Sequence, residues 1–308
     1  MINFENVSKI FKSDLLTQPF VALNDVSFQI PSGSMVGFLG ANGAGKTTSL
    51  KIIMDFIRPS SGEVKFSEEL GSTQEEVFRN IGFLPERPYF YPHLTGEEFL
   101  TFMGKLSELS SQDIVFGIKK WAPLFKIEHA LKREVKTYSK GMLQRLGFRA
   151  TILHKPKLII LDEPLSGLDP IGRKELKDVI IDVHKEGKTV FFSSHIVPDI
   201  EEICDRVIFL KEGKLVYDGN VDQLMGNNSE LDFILTVRSF SDIKSSVKYK
   251  EMKRLPDNIV KFVVKKEYKD IILLELLQQN INVIGLEKVR PSLEEIFYQT
   301  KGGVNVSL

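Results

Sequence analysis

Apolar and polar positions alternate from the first residues onward. Ile2, Phe4 and Val7, then Val21, Leu23, Val26, Phe28 and Ile30, follow the period of two that predicts strands. A polar stretch from Lys12 to Pro19 separates the two runs, and Pro31-Ser32-Gly33 predicts a turn into a short apolar strand, Met35 to Leu39. A helical run follows from Lys46 to Ile57, then a turn at Pro59-Ser60-Ser61-Gly62 and a short edge strand from Glu63 to Phe66. Ile81 to Leu84 predicts a strand that Pro85 ends. From Thr95 to Glu134 the spacing becomes helical, with Phe99, Leu100, Phe102, Met103 and Leu106 on the apolar side.

Leu158-Ile159-Ile160-Leu161 is apolar without a break, as a central parallel strand covered on both faces should be. A helix from Arg173 to Glu186, a strand from Thr189 to Ser193 and a hairpin around Glu212-Gly213 are expected next. Strand and helix alternate through residues 29–194, which predicts a parallel α/β core. The turn-rich Met225-Gly226-Asn227-Asn228-Ser229 predicts a linker. Beyond it the chain reads strand (Leu231 to Val237), helix, two strands (the second Ile259 to Val264), helix (Tyr268 to Gln279), strand (Asn282 to Glu287) and helix (Ser292 to Thr300). The expected organisation is a first domain over 1–224 with a helical subdomain at about 87–154, a linker over 225–230, and a small α+β domain over 231–308.

Composition narrows the class. The chain has 308 residues, 42% apolar and 27% charged, as ordinary globular proteins do, and is long enough for two domains. Its 41 basic and 41 acidic residues leave no net charge, so no global electrostatic footprint for nucleic acid exists. Cys204 is the single cysteine, which excludes an intrachain disulfide and fits a reducing compartment, its own role being that of a small buried hydrophobe. No signal peptide is expected from Met1-Ile-Asn-Phe-Glu. No apolar run reaches the ~18 residues a bilayer requires, since even Ile271 to Leu277 is broken by Glu275. A membrane role must come through a partner.

The chemistry concentrates in a few loops. Gly40-Ala41-Asn42-Gly43-Ala44-Gly45-Lys46-Thr47 is a complete G-x-x-x-x-G-K-[ST] phosphate loop between a predicted strand and a predicted helix, with Thr48 beside it. Glycines let consecutive N–H groups converge on a polyphosphate, and the helix adds its positive end. Lys46 can neutralise the β- and γ-phosphates, and the Thr47 hydroxyl is placed for Mg²⁺. Asp162 and Glu163 follow the central strand, at the edge where α/β sheets hold ligands. Asp162 is a candidate Mg²⁺ ligand, and Glu163 a candidate general base for a water aimed at the γ-phosphate. Ser139 can cap the helix that runs to about His154, and with the Gly141 backbone forms a second candidate anion site.

Phosphate loop, Ser-x-Gly helix cap, Asp-Glu strand end, Ser166-Gly167-Leu168-Asp169 loop and strand-end His195 occur here in the order found in ATP-binding cassette (ABC) ATPases, which residues 1–220 resemble. The resemblance implies a P-loop ABC-ATPase core with an N-terminal antiparallel β subdomain and a helical subdomain. It implies ATP and Mg²⁺, and a second ABC subunit packed head to tail. Ser139, Lys140 and Gly141 would meet the γ-phosphate held by the partner's phosphate loop, and Asp169 would lie at the interface. His195 would help hold the lytic water with Glu163. Phe11 occupies the region of the adenine-stacking aromatic, with Phe4 and Phe20 as substitutes. All the hydrolytic elements occur in one chain, which favours a symmetric homodimer, with a heterodimer as the alternative.

Two departures from the family pattern stand out: Tyr138-Ser139-Lys140-Gly141-Met142 for Leu-Ser-Gly-Gly-Gln, and Glu86, a candidate Mg²⁺ ligand, for Gln. Both resemble bacterial exporter-type cassettes whose membrane permease is a separate chain, as does Val289 to Phe297, similar to their closing accessory helix. The implied role is an ATP-hydrolysing subunit with no nucleic-acid partner, cytoplasmic and peripheral on the inner membrane face through the permease. The alternative is a soluble cassette ATPase of translation or DNA maintenance.

Overall fold

The computed structural model describes residues 1–12, 19–226, 232–239, 243, 249 and 251–288. The chain divides into two compact units, Met1–Val221 and Asp222–Leu308.

In the first unit, β1 (Ile2–Phe11) and β2 (Phe20–Ile30) precede β3 (Met35–Leu39) and α1 (Lys46–Ile53). β4 (Ser61–Phe66), α2 (Gln74–Arg79) and β5 (Ile81–Leu84) follow, then the helices α3 (Gly96–Leu106), α4 (Ser111–Phe125) and α5 (Lys140–Ile152). β6 (Leu158–Leu161), α6 (Pro170–Lys185), β7 (Thr189–Ser194), α7 (Val197–Ile203), β8 (Arg206–Lys211) and β9 (Lys214–Asn220) complete the unit, and α8 (Val221–Gly226) begins at its end.

Two sheets form. β2, β1 and β4 make a three-stranded antiparallel sheet with β1 in the middle. The main sheet has the order β5-β6-β7-β3-β8-β9, parallel except for the β8–β9 hairpin. Every residue of β3, β6 and β7 is buried, so their continuous apolar runs are those of strands covered on both faces. The hairpin turns at Glu212 and Gly213, both left-handed (φ 50° and 73°), the geometry whose twist suits a two-residue connection. Asn24 N–H donates to the Gly213 carbonyl at 2.8 Å and ties the antiparallel sheet to this turn. One apolar core runs between the sheets, with Phe4, Phe28, Phe38 and Phe191 in successive ring contacts.

α3, α4 and α5 form the helical subdomain. Thr73 and Thr95 each close a capping box, with Glu76 and Glu98, at the starts of α2 and α3. Arg149 on α5 is fully buried, its guanidinium donating to Glu128 at 2.8 Å and to the Ile118 carbonyl of α4.

Among the described residues, the second unit is a four-stranded antiparallel sheet with one α-helix packed on it. β10 (Phe233–Arg238), β11 (Glu251–Leu255), β12 (Ile259–Val264), α9 (Lys269–Gln278) and β13 (Asn282–Lys288) pair in the order β11-β12-β10-β13. Leu235, Val237, Val260, Phe262 and Val264 pack with Ile272 and Leu276 of α9. The helix expected at 292–300, and the resemblance at 289–297, lie outside the described residues.

The structure departs from the sequence reading in several places. α1 ends at Ile53 rather than Ile57, because Asp55 turns left-handed (φ 55°) and breaks the helical path. Met225 and Gly226, expected in the linker, close α8 instead. The short helices α2 and α7 were not expected. Among the described residues no helix is long and apolar enough to cross a membrane.

Cys204 follows α7 with its sulfur in the space a side chain on Gly37 would need. Burial, then the charges of Asp205 and Asp199, hold the thiol well above its ordinary pKa. Thiolate is the reactive form, so a thiol reagent at pH 8 should leave the native chain unlabelled and label one thiol per chain once urea unfolds it. Stoichiometric labelling of the native chain would show that α7 does not stay docked on β3.

Candidate phosphate and hydrolysis site

The register of the parallel strands fixes the site. Leu84 pairs with Leu161, Leu161 with Phe192 and Leu39 with Ser194, so four neighbouring strands end together. The residues that follow them converge on one edge: Glu86 beyond β5, Asp162 and Glu163 after β6, His195 after β7 and the phosphate loop after β3. Glu86, Glu163 and His195 line a cleft of about 370 Å³ together with Ala41, Asn42, Gly43, Gly45, Lys46, Thr47 and Thr48. Phe20, Ala22 and Ser166 complete its wall.

Gly45 caps α1 in a left-handed conformation (φ 108°), and a Cβ there would sit 2.8 Å from the Ala22 carbonyl oxygen. No side chain caps this helix and its first turn carries no acidic residue, so its free N–H groups suit an anionic ligand. Gly40 and Ala44 lie beside the cleft rather than in its wall. The Gly40 carbonyl accepts from Lys46, and Ala44 packs into the core.

Lys46 is 5% exposed, and its ammonium donates to the Gly40 carbonyl at 2.6 Å and the Ala41 carbonyl at 3.3 Å. It also stands 3.2 Å from Glu163 Oε1, a charge contact without hydrogen-bond alignment. The other carboxylate oxygen, Oε2, lies 2.9 Å from His195 Nδ1. Glu163 is thus held between a cation and an imidazole at the mouth of the phosphate loop. Its backbone is left-handed (φ 48°), a strained conformation for a side chain of this type and common at functional sites.

Asp162 is 2% exposed. Its Oδ2 accepts from the Thr47 hydroxyl at 3.1 Å and its Oδ1 from the Ser193 hydroxyl at 2.6 Å. Burial raises its pKa above the usual carboxylate range; the Ser193 and Thr47 hydrogen bonds oppose this, while the charges of Glu163 and Glu86 add to it. A hydroxyl and a carboxylate side by side, with Glu86 nearby, suit Mg²⁺, which takes one or two carboxylates and completes its shell with water and substrate phosphate. Among the described residues no three His, Cys, Asp or Glu side chains converge on a metal position.

The other sequence candidates stand apart from this cleft. Ser139 caps α5, accepting from Met142 N–H at 3.3 Å. The Lys140 ammonium fills the space a side chain on Gly167 would take, and Gly141 faces Leu168. Asp169 caps α6 through Gly172 N–H at 2.8 Å. The loops at 139–141 and 166–169 therefore lie side by side, and of their residues Ser166 alone reaches the wall of this chain's own cleft. Of the expected aromatic Phe11 and its substitutes Phe4 and Phe20, Phe20 lines the cleft. Phe11 pairs with Phe20 across β1 and β2 and sits under the Lys9 ammonium at 5.1 Å. Sequence reasoning also missed Ser193; the signal available was a pair of serines closing an otherwise apolar strand.

A family model for ABC transporters matches residues 23–166. An ABC transporter ATP-binding protein of Synechocystis sp. is 38% identical over 233 residues, which cover 74% of this chain and 65% of that one. The bacitracin transport ATP-binding protein BcrA of Bacillus licheniformis is 32% identical over 305 residues, covering 96% of this chain and 99% of the relative. The chain belongs to the ABC transporter ATP-binding protein family. A solved ATP-binding subunit of an ABC transporter, 29% identical, superposes with a TM-score of 0.62 over 73% of this chain and 91% of the other. The first unit is therefore an ABC ATPase domain, which binds ATP.

Removing the ammonium should weaken ATP binding. Charge-assisted contacts contribute about 1.5–3 kcal/mol, so Lys46→Ala should raise the Kd about tenfold to a hundredfold by calorimetry. A base stacked on an aromatic ring gains about 1–3 kcal/mol, so Phe20→Ala should weaken ATP by about tenfold. A larger loss in Phe11→Ala than in Phe20→Ala would return the platform to Phe11.

Proposed function

We propose that this chain is the ATP-hydrolysing subunit of an exporter, working as a pair of cassettes that drives separate membrane-embedded permease chains. The observation that carries the hydrolytic role is the placement of Glu163 between Lys46 and His195 at the mouth of the phosphate loop. A buried carboxylate paired to an imidazole can polarise a water aimed at the γ-phosphate, with His195 as the group that orients it. Lys46 and the loop N–H groups neutralise the phosphates. Thr47 and Asp162, with Glu86, would hold Mg²⁺, which supplies charge neutralisation on the phosphate oxygens.

Each ATP is proposed to lie between the phosphate loop of one copy and Ser139, Lys140 and Gly141 of the other. The position of those residues outside their own cleft supports this, as does their packing against the loop that ends in Asp169. A γ-phosphate contacted from both sides favours the closed pair, and its loss favours opening. All the candidate catalytic groups occur in one chain, which supports a homodimer.

Transport is supported by the bacitracin-transport relative, and export by the exporter-like Glu86 and Tyr138 to Met142. The permease is proposed to dock at the segment following Glu86. There Tyr89 is 77% exposed and makes edge contacts with Tyr91, which in turn meets Phe102. Exposed aromatics clustered in this way mark interaction surfaces. Such docking places the chain on the cytoplasmic face of the membrane.

A general base contributes about 10²–10⁴-fold to a rate, so Glu163→Gln should lose turnover by that factor while still binding ATP and accumulating as a dimer on size exclusion. Wild-type turnover in this variant would remove Glu163 from the base role. The ATP-loaded variant, pulled down from gently solubilised membranes, should bring a polytopic membrane protein with it. Recovery of ribosomes or nucleic-acid proteins instead would favour a soluble cassette ATPase.

A further inference from the structure

We infer that Ser193 is a positioning residue that sets the geometry of both site carboxylates through one hydroxyl, an inference that rests on the ATPase reading above. Ser193 is the fifth residue of β7, fully buried, and two positions before His195. Its Oγ accepts the Glu163 N–H at 2.8 Å and donates to Asp162 Oδ1 at 2.6 Å. A serine hydroxyl has one proton to give and two lone pairs. Here the proton goes to one carboxylate and a lone pair takes the backbone of the next residue.

The pairing of the neighbouring strands shows what this replaces. β6 and β7 pair through Leu161 and Phe192 and no further. Asp162 N–H still finds a carbonyl, that of Leu84 on β5, at 2.8 Å. Glu163 N–H, on the opposite side, would be an orphaned buried donor, because the left-handed turn at Glu163 takes the chain out of the ladder. Ser193 Oγ is the acceptor that satisfies it. The strained peptide is thereby held where its side chain meets Lys46 and His195.

The donation to Asp162 has a separate consequence. It occupies Oδ1, so that Oδ2 is the oxygen turned to Thr47. One strand end thus grips the site three times: Ser193 at the Glu163 backbone, Ser193 at the Asp162 carboxylate, and His195 at the Glu163 carboxylate. The hydroxyl touches neither nucleotide nor water in this account. Its effect passes through Asp162 and Glu163.

The test compares Ser193→Ala with Ser193→Cys, whose thiol nearly matches the hydroxyl in size but is a weak donor and acceptor. Steady-state ATP hydrolysis by the full chain is read together with amide hydrogen exchange at Glu163 in the nucleotide-free protein, with the Asp162 amide as internal reference. Misplacement of a reacting group by about 1 Å can cost about a hundredfold. Both variants should therefore lose kcat by about that factor, with ATP affinity unchanged and exchange at Glu163 accelerated relative to Asp162. If the alanine variant does not fold, the cysteine variant carries the same comparison. Wild-type kcat in the cysteine variant would overturn the inference, because volume alone would then suffice. So would a fall in kcat with exchange at Glu163 unchanged. Absence of ATP hydrolysis in the wild-type chain would instead sink the ATPase reading, while the exchange measurement would still report on Ser193.

Discussion

In-register parallel pairing of β5, β6, β7 and β3 is the constraint on which the site depends. Parallel strands in register end level with one another, and each of these four ends in a loop that carries one part of the chemistry. The apolar residues of β3, β6 and β7 are packed on both faces, and a slip of one residue would exchange the side chains between two filled cores. The catalytic groups therefore come from segments far apart in sequence but are fixed by core packing. Glu163 and His195 are 32 residues apart along the chain, and their side chains lie 2.9 Å from each other. Loop chemistry varies on such an edge without disturbing the sheet below it.

The charges at this edge are unbalanced in a useful way. Burying an ion is costly unless it is paired, and the cleft sets Glu163 and Glu86, with the buried Asp162 within reach of their charges, against the ammonium of Lys46. Burial raises the Asp162 pKa in spite of two hydrogen bonds to its carboxylate, and the neighbouring charges of Glu163 and Glu86 add to the rise. On the other side, the uncapped start of α1 presents partial positive charge. The cleft thus has one wall suited to a divalent cation and one suited to phosphate. A metal–nucleotide complex matches both walls, and neither component alone does.

Much of this was legible in the sequence because the informative signals are local. Four consecutive apolar residues bounded by polar ones gave β6 its observed limits, and the Ile81–Leu84 run did the same for β5. The phosphate loop declares itself through glycine spacing, and Ser139 through its place before a helix. What failed to show depends on pairing between distant segments. Phe20 rather than Phe11 reaches the cleft because of how β1 and β2 lie over the loop, which no local pattern encodes. Ser193 matters only once β7 lies beside the end of β6. The helix α2 was a different kind of miss: Thr73 and Glu76 are a capping signal at the right spacing, but six residues give too short an apolar period to register.

The packing of α5 explains how the two ends of the proposed machine stay connected. A Cβ on Gly82 of β5 would collide with the Thr151 carbonyl oxygen, so the helix backbone lies directly on the strand. At Gly147 the same helix faces Leu84, Pro88 and Phe90, the segment that carries Glu86 into the cleft and Tyr89 and Tyr91 to the surface. Its first turn bears Ser139, and the buried Tyr138 just before it donates to the Ala130 carbonyl at 2.7 Å. Close-packed interiors have no slack to absorb a shift. A displacement of the tyrosine surface by a docked partner would therefore be passed to Glu86, or to α5 and Ser139 to Gly141 at its start, or to both. That contiguity gives the proposed coupling between permease and ATP site a physical route through one strand end and one helix.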